Sequence, residues 1–439
     1  MRTVLVALLV CSGCGRDGPL GGLFRLEEHP YEQYLAGLRA AGLDSTAMGR
    51  DWIGAGESAL VRPVPARQPF RETGYFPPHA AGAVAYQLEL RRGRRLAITV
   101  TFNTSSSEGR LFVDLFRLDD EEPPVRVASL PADTTTMSYD VRRDGTYLLR
   151  LQPELLRGGR WTVEERTQAS LGFPVPGFGV PAIRSRFGVD RDAGRRRHHG
   201  VDIFAPRGTP VVAVVEGYAQ SGTNELGGNV VWLHDGVRGR TLYYAHLDRW
   251  AVEGNVQVQP GDTLGYVGTT GNARTTPPHL HFGIYDDGPV DPEPFLLPDD
   301  PAPARIAAPV ERLNEWVRVT AARGGALLRA GPHRGADTLF RLQQGWVARV
   351  SGASLGAFRV TLPDRTVGYV DAADVTSAEH PVRRARLEPG SVLAEGPDGA
   401  APAIEVIDGA VGAEVLGRFG GFELVRLSDA RLGWVAIRP

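Results

Sequence analysis

Three short stretches carry the residues best suited to chemistry: HHGVD at 198–202, YYAHL at 243–247 and HLH at 279–281. Six of the ten histidines of the chain fall between residues 198 and 281. If 279–281 is a strand, His279 and His281 share one face while Leu280 points to the other, because side chains alternate along a strand. Neighbouring imidazoles on one face are typical of metal sites, so the three stretches predict a metal centre.

One carboxylate and two imidazoles form the predicted ligand set: His198, Asp202 and one histidine of HLH. On a straight strand His198 and Asp202 would lie roughly 13 Å apart, too far for two ligands of one metal. A bend is therefore required, and Gly200 between them gives the backbone that freedom. Three protein ligands leave a tetrahedral zinc ion one open position for water, which is the arrangement of catalytic zinc.

Hydrolysis of an amide also requires a group that moves protons. The H-E-x-x-H helix motif is absent, because no histidine of this chain is followed by glutamate. If His281 is the ligand from HLH, His279 lies within reach of a water in the open position, and His246 can complete a pair of acid–base imidazoles. His199 competes with His198 as a ligand, and His234 is interpreted as structural, with a place at the edge of the groove as the alternative.

These stretches resemble the lysostaphin/LytM-type zinc metallopeptidases, which cut peptide cross-links in peptidoglycan. The resemblance runs from Ile183 to Leu297 and preserves the order of the motifs, among them SRFG, HHGVDIFAP, GGNVVWLHDG, TLYYAHL, VQPGDTLGYVG and PPHLHFGIY. It implies one catalytic zinc with His198, Asp202 and His281 as its ligands. It also implies that His246 and His279 activate water and stabilise the oxyanion, in a groove on a small antiparallel sheet.

Two positions depart from the family pattern. Asp190 stands where the family often has arginine, and Arg274-Thr-Thr-Pro-Pro replaces the usual small residues before HLH. Neither change removes a metal ligand or a catalytic residue. Both predict an altered substrate preference of the groove.

Composition indicates a multidomain β protein. The chain has 439 residues, with 54 glycines and 33 prolines, which favours many turns and short strands. The formal net charge is −2, so the overall charge gives no reason to expect a nucleic-acid partner. All 49 basic residues are arginine.

The first fourteen residues, MRTVLVALLVCSGC, predict an export signal. An arginine is followed by a short apolar run and then by small residues, and the run is too short to span a membrane. Ser12-Gly13-Cys14 resembles the end of a bacterial lipobox, which implies cleavage before Cys14 and a lipid anchor on its thiol. A plain secretory signal is the alternative, because Cys11 occupies the usual leucine position.

The segments between the motifs predict the domain organisation. Residues 15–70 are expected to hold one short helix, near 31–42, and a linker that is rich in proline over 61–80. Residues 71–170 contain seven runs with strand-like alternation, which predict a β-sandwich. The metallopeptidase domain is expected over 174–300, between two stretches rich in proline.

The C-terminal region repeats itself with an offset of 65 residues. Leu328-Arg-Ala-Gly-Pro matches Leu393-Ala-Glu-Gly-Pro, and Gly368-Tyr-Val matches Gly433-Trp-Val. Each copy resembles a bacterial SH3-like domain, which predicts two small β barrels at 309–378 and 382–439. Binding to the cell wall and a spacer role are both compatible with these units.

Together the motifs predict an exported zinc endopeptidase whose partners are peptidoglycan stem peptides and, through the anchor, a membrane. The expected location is the cell envelope, facing the periplasm, where the D-Ala to diaminopimelate cross-link is the expected bond. Secretion is the alternative location, either as a plain export product or as a lytic toxin. The alternative function is a non-catalytic activator of another wall hydrolase, which would bind peptidoglycan without cutting it. The sequence does not predict an oligomeric state.

Overall fold

The computed structural model describes residues 29–104, 109–119, 122–191, 194–320 and 325–437. Strands dominate these ranges and form several mainly antiparallel sheets, which confirms the prediction of a mainly β, multidomain chain. The predicted signal at 1–14, with Cys14, lies outside the described residues. Within the described ranges, no helix has both the length and the apolar character needed to cross a membrane.

The N-terminal unit combines two helices with nine strands. Its elements are α1 (Pro30–Ala40), α2 (Ala47–Val61), β1 (Val64–Pro65), β2 (Phe70–Phe76), β3 (Val84–Leu90), β4 (Arg94–Thr104), β5 (Leu111–Arg117), β6 (Val125–Ser129), β7 (Thr136–Asp140), β8 (Gly145–Pro153) and β9 (Gly159–Ala169). Helix α1 is the one predicted from the sequence. The seven runs predicted as strands all form strands, β3 to β9.

Helix α2 was not predicted, because 15–70 was expected to contain one helix followed by a linker. The side chain of Thr46 caps this helix by accepting a hydrogen bond from the Gly49 backbone at 3.0 Å. Glycines disfavour helices, so the glycines of this segment argued against a helix in the sequence. In the structure they allow close packing. A side chain at Gly56 would collide with Gln152, and the neighbouring Trp52 is buried and donates to the Pro153 carbonyl at 2.8 Å.

Two sheets enclose the core of the N-terminal unit. One has the strand order β1-β3-β8-β5-β6, and the other contains β2-β9-β4-β7. Their facing side chains form one apolar cluster that includes the fully buried Tyr86, Tyr147 and Trp161. The prediction of a linker over 61–80 is wrong for β2, because FRETGYF is a mostly buried strand that pairs with β9 along its whole length.

The next unit carries the predicted metal ligands on a ten-stranded sheet. Its elements are β10 (Ile183–Ser185), β11 (Asp190–Arg191), β12 (Arg196–Arg197), β13 (Val201–Phe204), β14 (Pro210–Val212), β15 (Gly217–Asn224), β16 (Gly228–Asp235), β17 (Arg240–Trp250), β18 (Asn255–Val258), β19 (Thr263–Val267), β20 (His279–Tyr285), β21 (Pro289–Val290) and α3 (Glu293–Leu296). The main path of this sheet runs β10-β13-β20-β17-β16-β15-β18, while β11 and β12 pair only with each other.

This unit is fixed to the N-terminal unit through Arg94, which is buried. Its guanidinium donates to the carbonyl oxygens of Leu297 at 2.7 Å and Pro298 at 2.9 Å. Asp300 accepts from the Thr167 hydroxyl at 2.7 Å, on the neighbouring strand β9. The chain that leaves α3 is therefore held against the N-terminal unit.

Two C-terminal units have the same strand order, which agrees with the 65-residue repeat. The first contains β22 (Trp316–Val319), β23 (Ala326–Arg329), β24 (Thr338–Leu342), β25 (Val347–Ser354), β26 (Ala357–Thr361), β27 (Val367–Asp371) and β28 (Val375–Ser377), and the second contains β29 (Arg383–Leu387), β30 (Val392–Ala394), β31 (Ala403–Val406), β32 (Val411–Phe419), β33 (Phe422–Leu427) and β34 (Leu432–Ala436). The order β24-β23-β27-β26-β25 in the first matches β31-β30-β34-β33-β32 in the second.

A glycine packs against a buried leucine at matching places in both copies. A Cβ at Gly368 would lie 2.7 Å from Leu328, and one at Gly433 would lie 2.5 Å from Leu393. The repeated motifs therefore encode the same internal contact. The assignment of these units to the SH3-like class stays a prediction.

The first C-terminal unit is joined to the N-terminal unit, because β25 pairs with β2 and links both in one eleven-stranded sheet. Across this junction, the Glu72 carboxylate accepts from Arg359 Nε at 2.7 Å and from the Tyr369 hydroxyl at 2.5 Å. All three side chains are buried. Loss of one member would leave a buried charge or polar group without its partner, so this network holds the two units together.

Buried Glu165 on β9 predicts a stability that depends on pH. Burial raises the pKa of Glu165 from 4.5 to about 8. Between these values the unfolded chain releases a proton that the folded chain keeps, so the free energy of unfolding falls as pH rises from 4.5 to about 8. The slope is at most about 1.4 kcal/mol per pH unit. We expect Glu165→Gln to flatten this decline in urea unfolding followed by tryptophan fluorescence.

Glu164→Gln is the matched control, because Glu164 is a neighbour on β9 whose half-exposed carboxylate pairs with Arg71. This variant should keep the decline of the wild type. An equal decline in Glu165→Gln and wild type would contradict the role of Glu165.

Candidate active site

Three predicted ligands meet at one point of the ten-stranded sheet. Strands β13 and β20 are antiparallel, and Asp202 lies directly opposite His281 in their register. His198 precedes β13 and turns back over it. His198 Nε2, Asp202 Oδ1 and His281 Nδ1 are each 3.0 Å from the other two. Among the described residues, these three form the group of ligand atoms that could hold a metal ion.

The turn between His198 and Asp202 depends on Gly200 because a larger side chain would not fit there, in addition to the backbone freedom that glycine provides. A Cβ at Gly200 would lie 2.5 Å from the Phe282 carbonyl oxygen and 2.8 Å from the His281 ring. A larger residue would therefore push the turn away from β20. The glycine allows His198 to approach His281 closely.

The donor atoms fit a zinc ion in spacing and in chemistry. Three atoms that are 3.0 Å apart can all lie about 2 Å from one point, the usual length of zinc bonds to imidazole and carboxylate. His198 Nδ1 lies 2.8 Å from the Arg186 carbonyl, which requires the proton on Nδ1 and leaves a lone pair on Nε2.

The charge states suit the same ion. Burial favours the neutral form of Asp202, but the imidazoles of His198 and His281 outweigh this effect and hold the pKa of Asp202 well below its usual value. Burial lowers the pKa of His281, so its imidazole is neutral. The set therefore includes an ionised carboxylate at Asp202 and a neutral imidazole at His281.

Arg191 binds the second carboxylate oxygen of Asp202. This contact was not predicted from the sequence. Its Nη2 lies 2.6 Å from Asp202 Oδ2 and 2.6 Å from the Ser185 hydroxyl. This contact leaves Oδ1 to face the two histidines. The sequence offered no signal for it, because arginine is the sole basic residue type of the chain and is common everywhere.

The two predicted catalytic histidines lie beside the ligands, with similar hydrogen bonds. His246 Nδ1 donates to the Thr270 carbonyl at 3.0 Å, and His279 Nδ1 donates to the Pro277 carbonyl at 2.8 Å. Both contacts place the proton on Nδ1 and leave a lone pair on Nε2. The ring centroids of His246 and His279 are 5.0 Å apart, and His279 Nε2 is 4.0 Å from Asp202 Oδ1.

His246 lies inside strand β17. Its φ is 65°, which is unusual for a residue with a side chain, and the pairing of β17 shifts register on both sides of it. Its backbone amide donates to the Gly227 carbonyl at 2.7 Å. Burial and the neighbouring histidines lower the pKa of His246 to about 4, so its imidazole is neutral near pH 7.

The remaining histidines of the cluster take no part in the group of three. His199 lines the cleft as an exposed side chain, and His234 is an exposed residue of β16 that lies 3.4 Å from the Thr241 hydroxyl. The choice of His198 over His199 and the structural interpretation of His234 agree with this arrangement.

A cleft of about 1060 Å³ opens above the five grouped residues. All of its lining residues lie between 185 and 285, so no described residue of the other units lines it. One wall carries Trp232, Tyr243 and Tyr285 in mutual ring contact, with Trp232 and Tyr243 centroids 4.1 Å apart. Arginines of β11 and β12 also line the cleft. The cleft is large enough for a segment of peptide.

Comparison with known proteins supports the resemblance in this unit. The profile of peptidase family M23 matches residues 196–292. An L-Ala--D-Glu endopeptidase of Bacillus subtilis is 37% identical over 124 residues, covering 26% of this chain and 38% of that protein. The DD-carboxypeptidase/endopeptidase Mpg of Neisseria meningitidis is 42% identical over 106 residues, covering 24% of each chain.

A solved structure of the catalytic domain of lysostaphin from Staphylococcus simulans is 31% identical, covering 27% of this chain and 90% of that domain, with a TM-score of 0.23. The matched stretch spans about a quarter to two fifths of the length of the two curated relatives. The family profile over 196–292 and the curated relatives confirm the resemblance to this class of peptidases. Residues 196–292 of this chain belong to peptidase family M23.

Proposed function

We propose that this protein is a zinc-dependent endopeptidase that hydrolyses peptide cross-links of peptidoglycan. The observation that carries the proposal is the grouping of His198, Asp202 and His281 around one point, with His246 and His279 beside it in a cleft. The matched relatives include proteins named as endopeptidases, and one from Vibrio cholerae is named a peptidoglycan DD-endopeptidase.

Each side chain has a distinct task in this proposal. His198, Asp202 and His281 hold the zinc ion, which supplies Lewis-acid activation of a water molecule and of the scissile carbonyl. His246 and His279 present Nε2 towards the same space. One of them takes the proton from the attacking water and returns it to the amide nitrogen that leaves. To donate a hydrogen bond to the oxyanion of the tetrahedral intermediate, the other must also carry a proton on Nε2, as an imidazolium.

The compartment limits the substrate. The signal-like N-terminus, with Cys14 as the lipidated residue, favours a protein anchored in the cell envelope and facing the periplasm, with secretion as the alternative. In that compartment, the proposed bond is the cross-link between D-Ala and diaminopimelate. A non-catalytic activator of another hydrolase is the second candidate, but all five site positions are filled here, and the open cleft above them gives a substrate access.

Zinc binding should depend on the ligands and not on the catalytic pair. We expect Asp202→Ala and His281→Ala to purify without zinc and His246→Ala to retain one zinc per chain, because His246 contributes no ligand atom to the group of three, although its ring lies 5.9 Å from that of His281. Metal analysis by inductively coupled plasma mass spectrometry measures the content. A stoichiometric zinc in Asp202→Ala, or its loss in His246→Ala, would show that the ligand set is wrong.

Peptidoglycan cleavage should require His279. We expect zinc-loaded protein that lacks residues 1–14 to convert cross-linked dimers of diaminopimelate-type sacculi into uncross-linked tetrapeptides, measured by mass spectrometry of the muropeptides. His279→Ala should slow this by about 100-fold or more while it keeps its zinc. His234→Ala is the matched control and should be as active as wild type, because His234 is exposed and is not among the residues that line the cleft.

Sacculi left unchanged by folded, zinc-loaded wild type would count against the endopeptidase. In that case the test for the second candidate is whether the protein accelerates an added wall hydrolase.

A further inference from the structure

The aromatic wall of the cleft, defined here as Trp232, Tyr243 and Tyr285, lies on three neighbouring strands, β16, β17 and β20. Trp232 is opposite Tyr243 in the register of β16 and β17, and their ring centroids are 4.1 Å apart. Tyr243 is in turn opposite Gly283 of β20, where a Cβ would lie 3.3 Å from the Tyr285 ring. The glycine therefore leaves room for the three rings to meet.

The aromatic wall begins beside a predicted metal ligand. Tyr243 and Ala245 lie two residues apart on one face of β17, and Ala245 is directly opposite His281 of β20. The Tyr243 ring is accordingly 5.8 Å from the His281 ring. A substrate held at the metal site therefore has the aromatic wall within reach.

Trp232 is the member of the wall that is most open to solvent. It is 36% exposed, whereas Tyr243 beside it is 8% exposed. Among the described residues, its ring contacts are those with Tyr243 and Tyr285, and none of these residues accepts a hydrogen bond from the indole nitrogen. Trp232 thus offers ring surface and one N–H donor to a ligand.

The row of residues that crosses the sheet through Trp232 is uncharged. In register order it contains Gln220 of β15, Trp232, Tyr243 and Gly283, and Gln220 is exposed. Burial raises the pKa of Tyr243 and Tyr285, so both phenols stay neutral. A flat ring edged by neutral hydrogen-bonding groups suits a ligand with one apolar face and a rim of hydroxyl and amide groups. An N-acetylated sugar has this chemistry, whereas diaminopimelate carries charges that the row does not match.

The spacing between Trp232 and the metal site matches the length of a stem peptide. Strand β17 separates β16 from β20, so Trp232 is roughly 10 Å across the sheet and about 7 Å along the strands from His281. These steps combine to about 12 Å between the two backbone positions. Four residues of extended peptide span about 13 Å. The proposed cross-link follows the last residue of a tetrapeptide stem, so a stem bound at the metal site can place its sugar at Trp232.

We infer that Trp232 binds a sugar of the glycan strand that carries the stem peptide, so that the enzyme prefers cross-links still attached to glycan. This inference rests on the proposed function and adds a saccharide subsite to it. The occupant is an N-acetylated amino sugar. Its C–H face packs on the indole ring, and its hydroxyl and acetamido groups meet the indole N–H and the Gln220 amide.

Two forms of one cross-linked muropeptide dimer test the inference. One form keeps its disaccharides, and the other has lost them to an N-acetylmuramoyl-L-alanine amidase, with the freed amino groups then acetylated so that no charge is added. We expect the zinc-loaded protein that lacks residues 1–14 to cleave the disaccharide form with a kcat/KM at least about tenfold above that of the sugar-free form, from the stacking contact and the area it buries.

The variant Trp232→Ala should bring this preference close to one, because the ring that binds the sugar is gone. Trp232→Phe keeps a flat ring and should retain most of the preference. Phe340→Ala is the matched control, because Phe340 of β24 is also an aromatic residue with 36% exposure and does not line the cleft. This control should keep the wild-type preference. Zinc content and thermal midpoint show whether each variant is folded.

The possible failures are distinguishable. Equal kcat/KM for the two forms in wild type would overturn the inference and leave the proposed function intact, and this result does not depend on a variant. An equal loss on both forms in Trp232→Ala would also overturn it, because the ring would then act on the peptide or on the shape of the cleft. Cleavage of neither form by zinc-loaded wild type would overturn the proposed function, and the inference with it.

Discussion

The antiparallel pairing of β13 with β20 is the constraint on which the site depends. It places Asp202 opposite His281, so the two strands bring a carboxylate and an imidazole together without any loop. His198 then needs one tight turn, which Gly200 permits because no Cβ fits between that turn and β20. The same strand β20 sets His279 on the face of His281. Three of the five site residues therefore follow from one strand register, and His198 follows from the turn beside it.

The described residues of the N-terminal and C-terminal units support the unit that carries the site, and none of them lines its cleft. Arg94 binds the chain after α3 to the N-terminal unit, and Glu72 joins that unit to the first C-terminal repeat through a shared sheet. Both contacts are buried and charge-assisted, so a partial loss of either would leave an unpaired group in the interior. The β units around the site are thus joined by specific contacts, and their described residues do not line the cleft.

The sequence predicted what depends on local spacing and on rare residue types. Histidines are few, so H-x-G-x-D and H-x-H stood out, and alternation marked β3 to β9. It missed α2, whose glycines serve packing, and the β2–β25 junction, because pairing between distant strands leaves no local pattern. Arg191 was missed because its contact with Asp202 exists only after the hairpin folds. The left-handed backbone of His246 had no signal either.

Anomalous diffraction at the zinc absorption edge, from crystals grown with one equivalent of zinc, tests the site most directly. We predict one peak about 2 Å from each of His198 Nε2, Asp202 Oδ1 and His281 Nδ1. His246 and His279 should lie outside bonding distance of that peak, with a position left open for water. A peak elsewhere in the chain, or a fourth protein ligand that closes the site, would contradict the assignment of these residues to catalysis.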